Sequence, residues 1–552
     1  TVDTSAPVAP TLAVPEGPIV NAGENADGIQ TNVSGSFTAG DTVAVLVTRP
    51  DATTNTVSRT VSAAEATAGV VALTVPSQTV QGGYALRATI TDAAGNVGAA
   101  SAPVALTLAS SGPPAPTLTI AEAVDSFINA AEAASGGGTP VSVALPTGTT
   151  SGATIAMALA VPGASLVTIN YTVTGADVTA GSASVLIPSA NLATNGAYSG
   201  VGTLTDPNGN VGAQSAARAF TVDRTVVATG APDLATASDT GTSSLDNLTR
   251  NTTPTFTGNG AEAGATVTLY DTNGTTVLGT GVADSAGAWS IVSSTLAAGA
   301  RTVTTRQVDA AGNASTASAG LAVTIDTTAP TFGKALTVNE GFATLSIDGA
   351  ALGGADNLTT QANLAISAAT FKSAVGFVAG DLGIAIVNGK ATVTPIAGAI
   401  NNNGSVVLSV SMQDAAGNTT TQDVTVTVNA VNDAPAGADR TITAAEDGVY
   451  TFASSDFAFT DAADAPVNAL KSVVISSLPG VGSLRYDGKT VSGGQELNAA
   501  DIAAGKLTFT PVANAAGTGY ASFTFQVQDD GGTANGGVDL DGSANKLTID
   551  VV

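Results

Sequence analysis

Short runs of alternating apolar and polar residues recur along the whole chain. Thr42-Val43-Ala44-Val45-Leu46-Val47-Thr48, Thr266-Val267-Thr268-Leu269-Tyr270 and Asp423-Val424-Thr425-Val426-Thr427-Val428 repeat with a period of two and are rich in β-branched residues. That pattern predicts strands with one buried face. Clusters of Gly, Asn and Asp separate the runs and predict turns. Ala-rich pieces at 130–134 and 498–504 are expected to form short helical turns, too short to be stable alone.

A second periodicity is laid over the first. Asp-Ala-Ala-Gly-Asn occurs at Asp92–Asn96, Asp309–Asn313 and Asp414–Asn418, Asp-Pro-Asn-Gly-Asn at Asp206–Asn210, and a looser Asp-Asp-Gly-Gly starts at Asp529. A Pro-bearing phrase runs in register with it. Val2-Asp3-Thr4-Ser5-Ala6-Pro7 matches Ile325-Asp326-Thr327-Thr328-Ala329-Pro330. Val222-Asp223-Arg224-Thr225 is a weaker copy, and Val431-Asn432-Asp433-Ala434-Pro435 fills the same slot. Proline cannot extend a central strand, so these phrases read as linkers. They divide the chain into five units, 1–111, 112–225, 226–328, 329–431 and 432–552. Each has the size and texture of an immunoglobulin-like β-sandwich. The expected fold is therefore all-β, a tandem array of five immunoglobulin-like or cadherin-like sandwiches. With strands of seven to ten residues, an end-to-end array of five is roughly 200 Å long. The chain opens on a linker phrase and closes on an apolar strand, so it is expected to be a segment of a longer array.

Composition narrows the chemistry. The 552 residues include no Cys and no His, and 17 Lys plus Arg stand against 43 Asp plus Glu. A thiol nucleophile, a Ser-His-Asp triad and a His- or Cys-ligated metal are excluded. The acidic balance argues against nucleic acid as a partner, because that affinity comes mainly from neutralising phosphates. No run of about 18 apolar residues is present, so no direct membrane insertion through a helix is expected. Opposed carboxylates in a cleft could cleave glycosides, but acids at convex poles offer no cleft, so no enzyme is expected. Trp289 and Tyr270 are the aromatic candidates for glycan binding; Trp289, flanked by Ala and Ser, reads as a core residue.

The acids fall where units meet. The repeated pentapeptide is the turn between the last two strands of a unit. In a sandwich of seven up-and-down strands, that turn lies beside the linker entering the unit. This places Asp3 near Asp92 and Asn96, Asp223 near Asp309 and Asn313, and Asp326 near Asp414 and Asn418. Asp433 is placed near Asp529 and Asp530, and Asn432 beside it in the linker is a further candidate ligand. Carboxylates gathered this way repel unless a cation neutralises them, and calcium accepts six to eight oxygens in loose geometry. For any single copy the alternative is a metal-free turn, with Asp and Asn bonding nearby amides and Gly taking a left-handed φ. The linker entering unit two carries no acid, so the joint at Asp206 and Asn210 is expected to bind weakly or to flex. Asp239 and Asp246 frame a further loop, for which an ion site and a plain hydrogen-bonded loop are equally open. Glu446, Asp447, Asp456, Asp461 and Asp464, with Asp539 and Asp541 of the last turn, are expected to supplement the last joint.

These phrases carry a resemblance. Units one to four resemble the bacterial immunoglobulin-like repeats of giant surface adhesins of the biofilm-associated and RTX type, exported by type I secretion. The residues that carry it are the Asp-Thr-Thr-Ala-Pro linker, the Asp-Ala-Ala-Gly-Asn turn, Ile128–Ala133 with its echo at Val20–Ala26, the run Ser238–Asn247, and Thr253–Gly258. Unit five resembles the cadherin-like repeats of the same proteins through Asn432–Pro435, Ala445–Gly448 and Gln528–Gly532. The resemblance implies an extracellular stalk stiffened by calcium, whose partners are the neighbouring repeats. Self-association into a surface layer or fibre is the alternative. No RTX nonapeptide array and no tip domain are present in the chain.

Overall fold

The computed structural model describes residues 2–552. Strands hold 44% of the chain and helices 9%, which makes the class all-β. The alternation is borne out residue by residue: Val43, Val45 and Val47 of the strand Thr42–Thr48 are buried, as are Val424, Val426 and Val428 of Thr419–Asn429. Among the described residues the buried apolar side chains form five separate clusters, and none of these spans a linker. These clusters support dividing the chain at the linkers, and we propose the five units above on that basis.

Unit three shows the plan. One sheet pairs Asp233–Leu234, Thr255–Gly258 and Trp289–Val292. The other runs in the order Leu248–Thr249, Leu321–Ile325, Gly299–Val308, Thr266–Tyr270, Val277–Val282. The opening segment thus contributes to both sheets in turn. Its second part pairs parallel to the last strand, with Leu248 opposite Thr324 and Thr249 opposite Ile325. The same parallel pairing closes units one, two, four and five. This corrects the up-and-down expectation: the strands cross between sheets.

Parallel first and last strands have a geometric consequence. The chain enters a unit at one pole and leaves at the opposite one, so units follow end to end. The penultimate strand is antiparallel to the last, so it finishes at the entry pole. The turn that follows it is thereby placed beside the incoming linker.

Inside unit three the sheets meet around Trp289, which is 4% exposed and shares one buried cluster with Phe256, Leu269 and Ile291. The ring lies directly over Gly258, where a Cβ would sit 2.3 Å from Trp289 Cζ2. Tyr84 and Tyr198 bury their rings in units one and two, and each hydroxyl donates to a carbonyl four residues upstream, Val80 O at 2.6 Å and Thr194 O at 2.9 Å. Buried phenols need such acceptors.

Candidate metal centres at the joints

The repeated turn builds itself. Asp92 Oδ1 accepts the amides of Ala94 and Asn96 at 2.9 and 2.8 Å, its Oδ2 accepts Asn96 Nδ2 at 2.8 Å, and Gly95 takes φ +94°. Asp206, Asp309 and Asp414 repeat the bonds to Asn210, Asn313 and Asn418. The bond from Asn96 leads the effects that hold the Asp92 carboxyl below its ordinary range.

The Asn side chain of the turn then ties the linker to the unit. Its Nδ2 donates to a linker carbonyl in each case: Asp3 O from Asn96, Ala109 O from Asn210, Asp223 O from Asn313 and Asp326 O from Asn418. At the first two joints its Oδ1 also reaches the preceding unit. Asn210 accepts from Ala22 N at 2.8 Å, and Asn313 from Ala130 N at 3.0 Å. Ala22 and Ala130 open the short helices Ala22–Ala26 and Ala130–Ala134, each already closed by a capping box, Asn21 with Glu24 and Asn129 with Glu132. The next unit's Asn satisfies one more of the amides that a helix start leaves free. Asn-x-x-Glu was the available sequence signal for these contacts.

Carboxylates surround these ties unevenly. At the joint of units two and three, oxygens of Asp223, Glu262 and Asp309 lie within 4.8 Å of one another; at the joint of units three and four, those of Asp326, Asp356 and Asp414 do so. Glu262 and Asp356 were not foreseen, for they stand at no fixed spacing from the turn. Asp326 is 1% exposed, and Asp326 Oδ2 and Asp356 Oδ1 are buried without a hydrogen-bond partner. Burial first, then Asp356 and Asp414, pushes the Asp326 pKa up. Three charges at such separations repel by roughly 3 kcal/mol per pair at an effective dielectric of about 20. The donor set is all hard oxygen, which fits a calcium-sized cation.

The last joint is also acidic but differently built. Asn432 Nδ2 bonds Asp529 Oδ1 at 2.9 Å and the Val538 carbonyl, and its Oδ1 accepts from Asn468. Asp433 turns instead to unit four, where Asn401 Nδ2 donates to its Oδ2 at 2.8 Å. Asp461 and Asp529 are buried, and one oxygen of each has no partner. Burial raises both pKa values, helped by Asp464 and Asp530 around Asp461 and by Asp461 and Asp539 around Asp529. Glu446 is a correction. It follows the strand Arg440–Ala444, and its amide bonds Val552 O at 2.7 Å, so it lies at the far pole of unit five and cannot supplement this joint. Asp456 caps its own turn, accepting from Ala453 N and Tyr450 Oη.

At the first joint Asp206 lies beside the linker residues 111–114, and no carboxylate trio forms there among the described residues. Asp239 and Asp246 do come together, in a loop at the exit pole of unit three.

Residues 226–327 match the bacterial Ig-like domain family and residues 432–541 the bacterial Ig domain family. No curated protein matches the chain. Among solved structures, the chain is similar to a Ca2+-stabilised adhesin that helps an Antarctic bacterium reach out and bind ice (22% identity, 77% of this chain and 99% of that one, TM-score 0.33). It is similar also to a tetra-tandem repeat from the extending region of a large adhesion protein (20%, 77% and 100%, TM-score 0.29). A third is from a 1.5-MDa bacterial ice-binding adhesin studied for host cell surface retention (19%, 59% and 100%, TM-score 0.28). Units three and five thus carry the signature of bacterial immunoglobulin-like domains, set in an array whose other units share their sandwich architecture.

Proposed function

We propose that the chain is an extender segment of a secreted bacterial surface adhesin, a stalk whose joints are stiffened by calcium. One observation carries the reading. Linker and turn carboxylates from separate elements converge at the joint of units three and four, with buried oxygens left unpartnered. A structure that ionises three acids in one buried place needs a counter-ion, and the 17 Lys plus Arg in the chain contribute none to either trio. In this reading the carboxylates hold the ion, Asp223, Glu262 and Asp309 at one joint and Asp326, Asp356 and Asp414 at the next. Asp461, Asp464, Asp529 and Asp530 serve the last. The turn asparagines hold linker and neighbour by hydrogen bonds. Sites of this kind at extracellular modules have Kd near ~10⁻⁴ to 10⁻³ M, so they fill outside a cell and stay empty in the cytosol. The neighbouring repeats are the partners, and the setting is extracellular, at the cell surface. Among the described residues no helix is long and apolar enough to cross a membrane.

Small-angle scattering with and without a chelator tests the proposal. The expected result is a longer maximum dimension in calcium; an unchanged one overturns calcium stiffening.

A further inference from the structure

The repeated turn closes itself through Asp, Gly and Asn, and the side chains of the two residues between Asp and Gly take no part. Asp206–Asn210 makes the same bonds with Pro207 and Asn208 in those places. Yet Ala-Ala fills them in the other three copies. The surroundings of the third residue differ from unit to unit. Ala311 is 2% exposed and Ala416 0%, while Asn208 and, in unit one, Ala94 are exposed. One and the same pentapeptide therefore exposes its second Ala in unit one and buries it in units three and four. What packs against the turn sets that burial, not the turn itself.

At the joint of units three and four the exit pole of unit three lies on the turn. Thr242 N donates to Ala415 O at 3.3 Å, Thr240 Oγ1 to Ala416 O at 2.7 Å, and Arg250 Nη1 to Gly417 O at 2.9 Å. Between these bonds the two backbones touch. A Cβ on Gly241 would lie 1.9 Å from Ala415 O and 2.8 Å from Ala416 C, and one on Gly417 would lie 3.0 Å from Gly241 Cα. At the joint of units two and three the matching carbonyl, Ala311 O, accepts Asn129 Nδ2 of unit two at 3.1 Å. Three donors on consecutive carbonyls fix how closely the turn of unit four is held. At that distance a longer side chain at residue 416 has no solvent to enter, and a polar one would be buried in a closed seam.

We propose that Thr240, Gly241 and Arg250 are specificity residues that select the unit following unit three. They admit a repeat whose turn carries a small third residue, as Ala416 is, and reject one built like Asp206–Asn210. The exit pole of unit one makes no such demand and leaves Asn208 exposed. Which unit can follow which is then written into the turn and the pole that covers it, through contacts that involve no ion. The inference rests on the end-to-end stalk reading but not on its calcium.

The test uses the full chain with spin labels at Ser285→Cys and Ser373→Cys, exposed positions on either side of the joint. Ala416→Asn, Ala416→Gly and Arg250→Ala are compared with the natural sequence, each in calcium and in chelator. The turn of unit two already closes with Asn in this place, so Ala416→Asn leaves the turn able to form. It is expected to broaden the labelled distance in both conditions and to speed exchange of the Thr242 amide by about tenfold, as the loss of one hydrogen bond does. Arg250→Ala is expected to broaden the distance while the unfolding midpoint read by Trp289 stays put, and Ala416→Gly to change neither distance nor exchange. A natural distance and a natural Thr242 amide in Ala416→Asn overturn the selection. Broadening in Ala416→Gly overturns it as well, because size would not be what unit three reads. A lower Trp289 midpoint in Arg250→Ala shows that Arg250 supports unit three itself and removes it from the selection. A natural chain indifferent to calcium, beside a broadened Ala416→Asn, ends the calcium reading and leaves the selection standing.

Discussion

Asp326→Asn is the sharpest perturbation of the joint between units three and four. It keeps the shape of the side chain and removes one of three charges from a group whose oxygens lie within 4.8 Å of one another. At an effective dielectric of about 20, two pairwise repulsions vanish, roughly 3 kcal/mol each. The apo joint is thereby relaxed, and a divalent ion loses a charged ligand. With Kd near ~10⁻⁴ to 10⁻³ M, calcium at about 10 mM stabilises the natural joint by about 1.4 to 2.7 kcal/mol. A tenfold weaker site keeps only about 0.4 to 1.4 kcal/mol of that. The chain has no Cys, so Ser285→Cys in unit three and Ser373→Cys in unit four, both exposed, give one spin-labelled pair. In the natural background, calcium should narrow the distance distribution and a chelator should broaden it. In Asp326→Asn the two distributions should nearly coincide. If Asp326→Asn still narrows with calcium at the natural midpoint, the carboxylate trio is not the ion site.

Further outcomes follow from other residues. Asn210→Ala should loosen the joint of units one and two equally in calcium and in chelator, because the Asn210 side chain bonds Ala22 N and Ala109 O directly, with no ion between them; a labelled pair across that joint reads it. In chelator, Asp239 and Asp326, whose raised pKa values come first from burial, bind protons more readily folded than unfolded. Stability should therefore fall as pH rises from the ordinary carboxylate range near ~4 to the raised values, with the full penalty present at neutral pH. Saturating calcium should abolish that slope, which denaturant midpoints followed by Trp289 fluorescence will show. Gly258→Ala drives a methyl into Trp289 and should destabilise unit three by about 1–3 kcal/mol. The single Trp of the chain reports that loss for unit three selectively, and an unchanged midpoint would refute the packing.

The period-two runs, the turn phrase and the Pro-bearing linkers determined the strands and the repeat without any structure, and they carry the proposed division into units. They are local signals: alternation fixes which face is buried, and Asp-x-x-Gly-Asn closes its own turn through bonds within five residues. The meeting of Asp326 with Asp414 was also legible, because turn and linker both recur in register. What the sequence left open depended on contacts distant along the chain. Glu262 and Asp356 reach the joints at no constant spacing. Asn210 and Asn313 prove to clasp helix starts almost two hundred residues upstream, and Glu446 lies at the wrong pole. Only the tertiary structure decided these. Parallel pairing of first and last strands sets which loops share a pole, and no short-range pattern encodes that pairing.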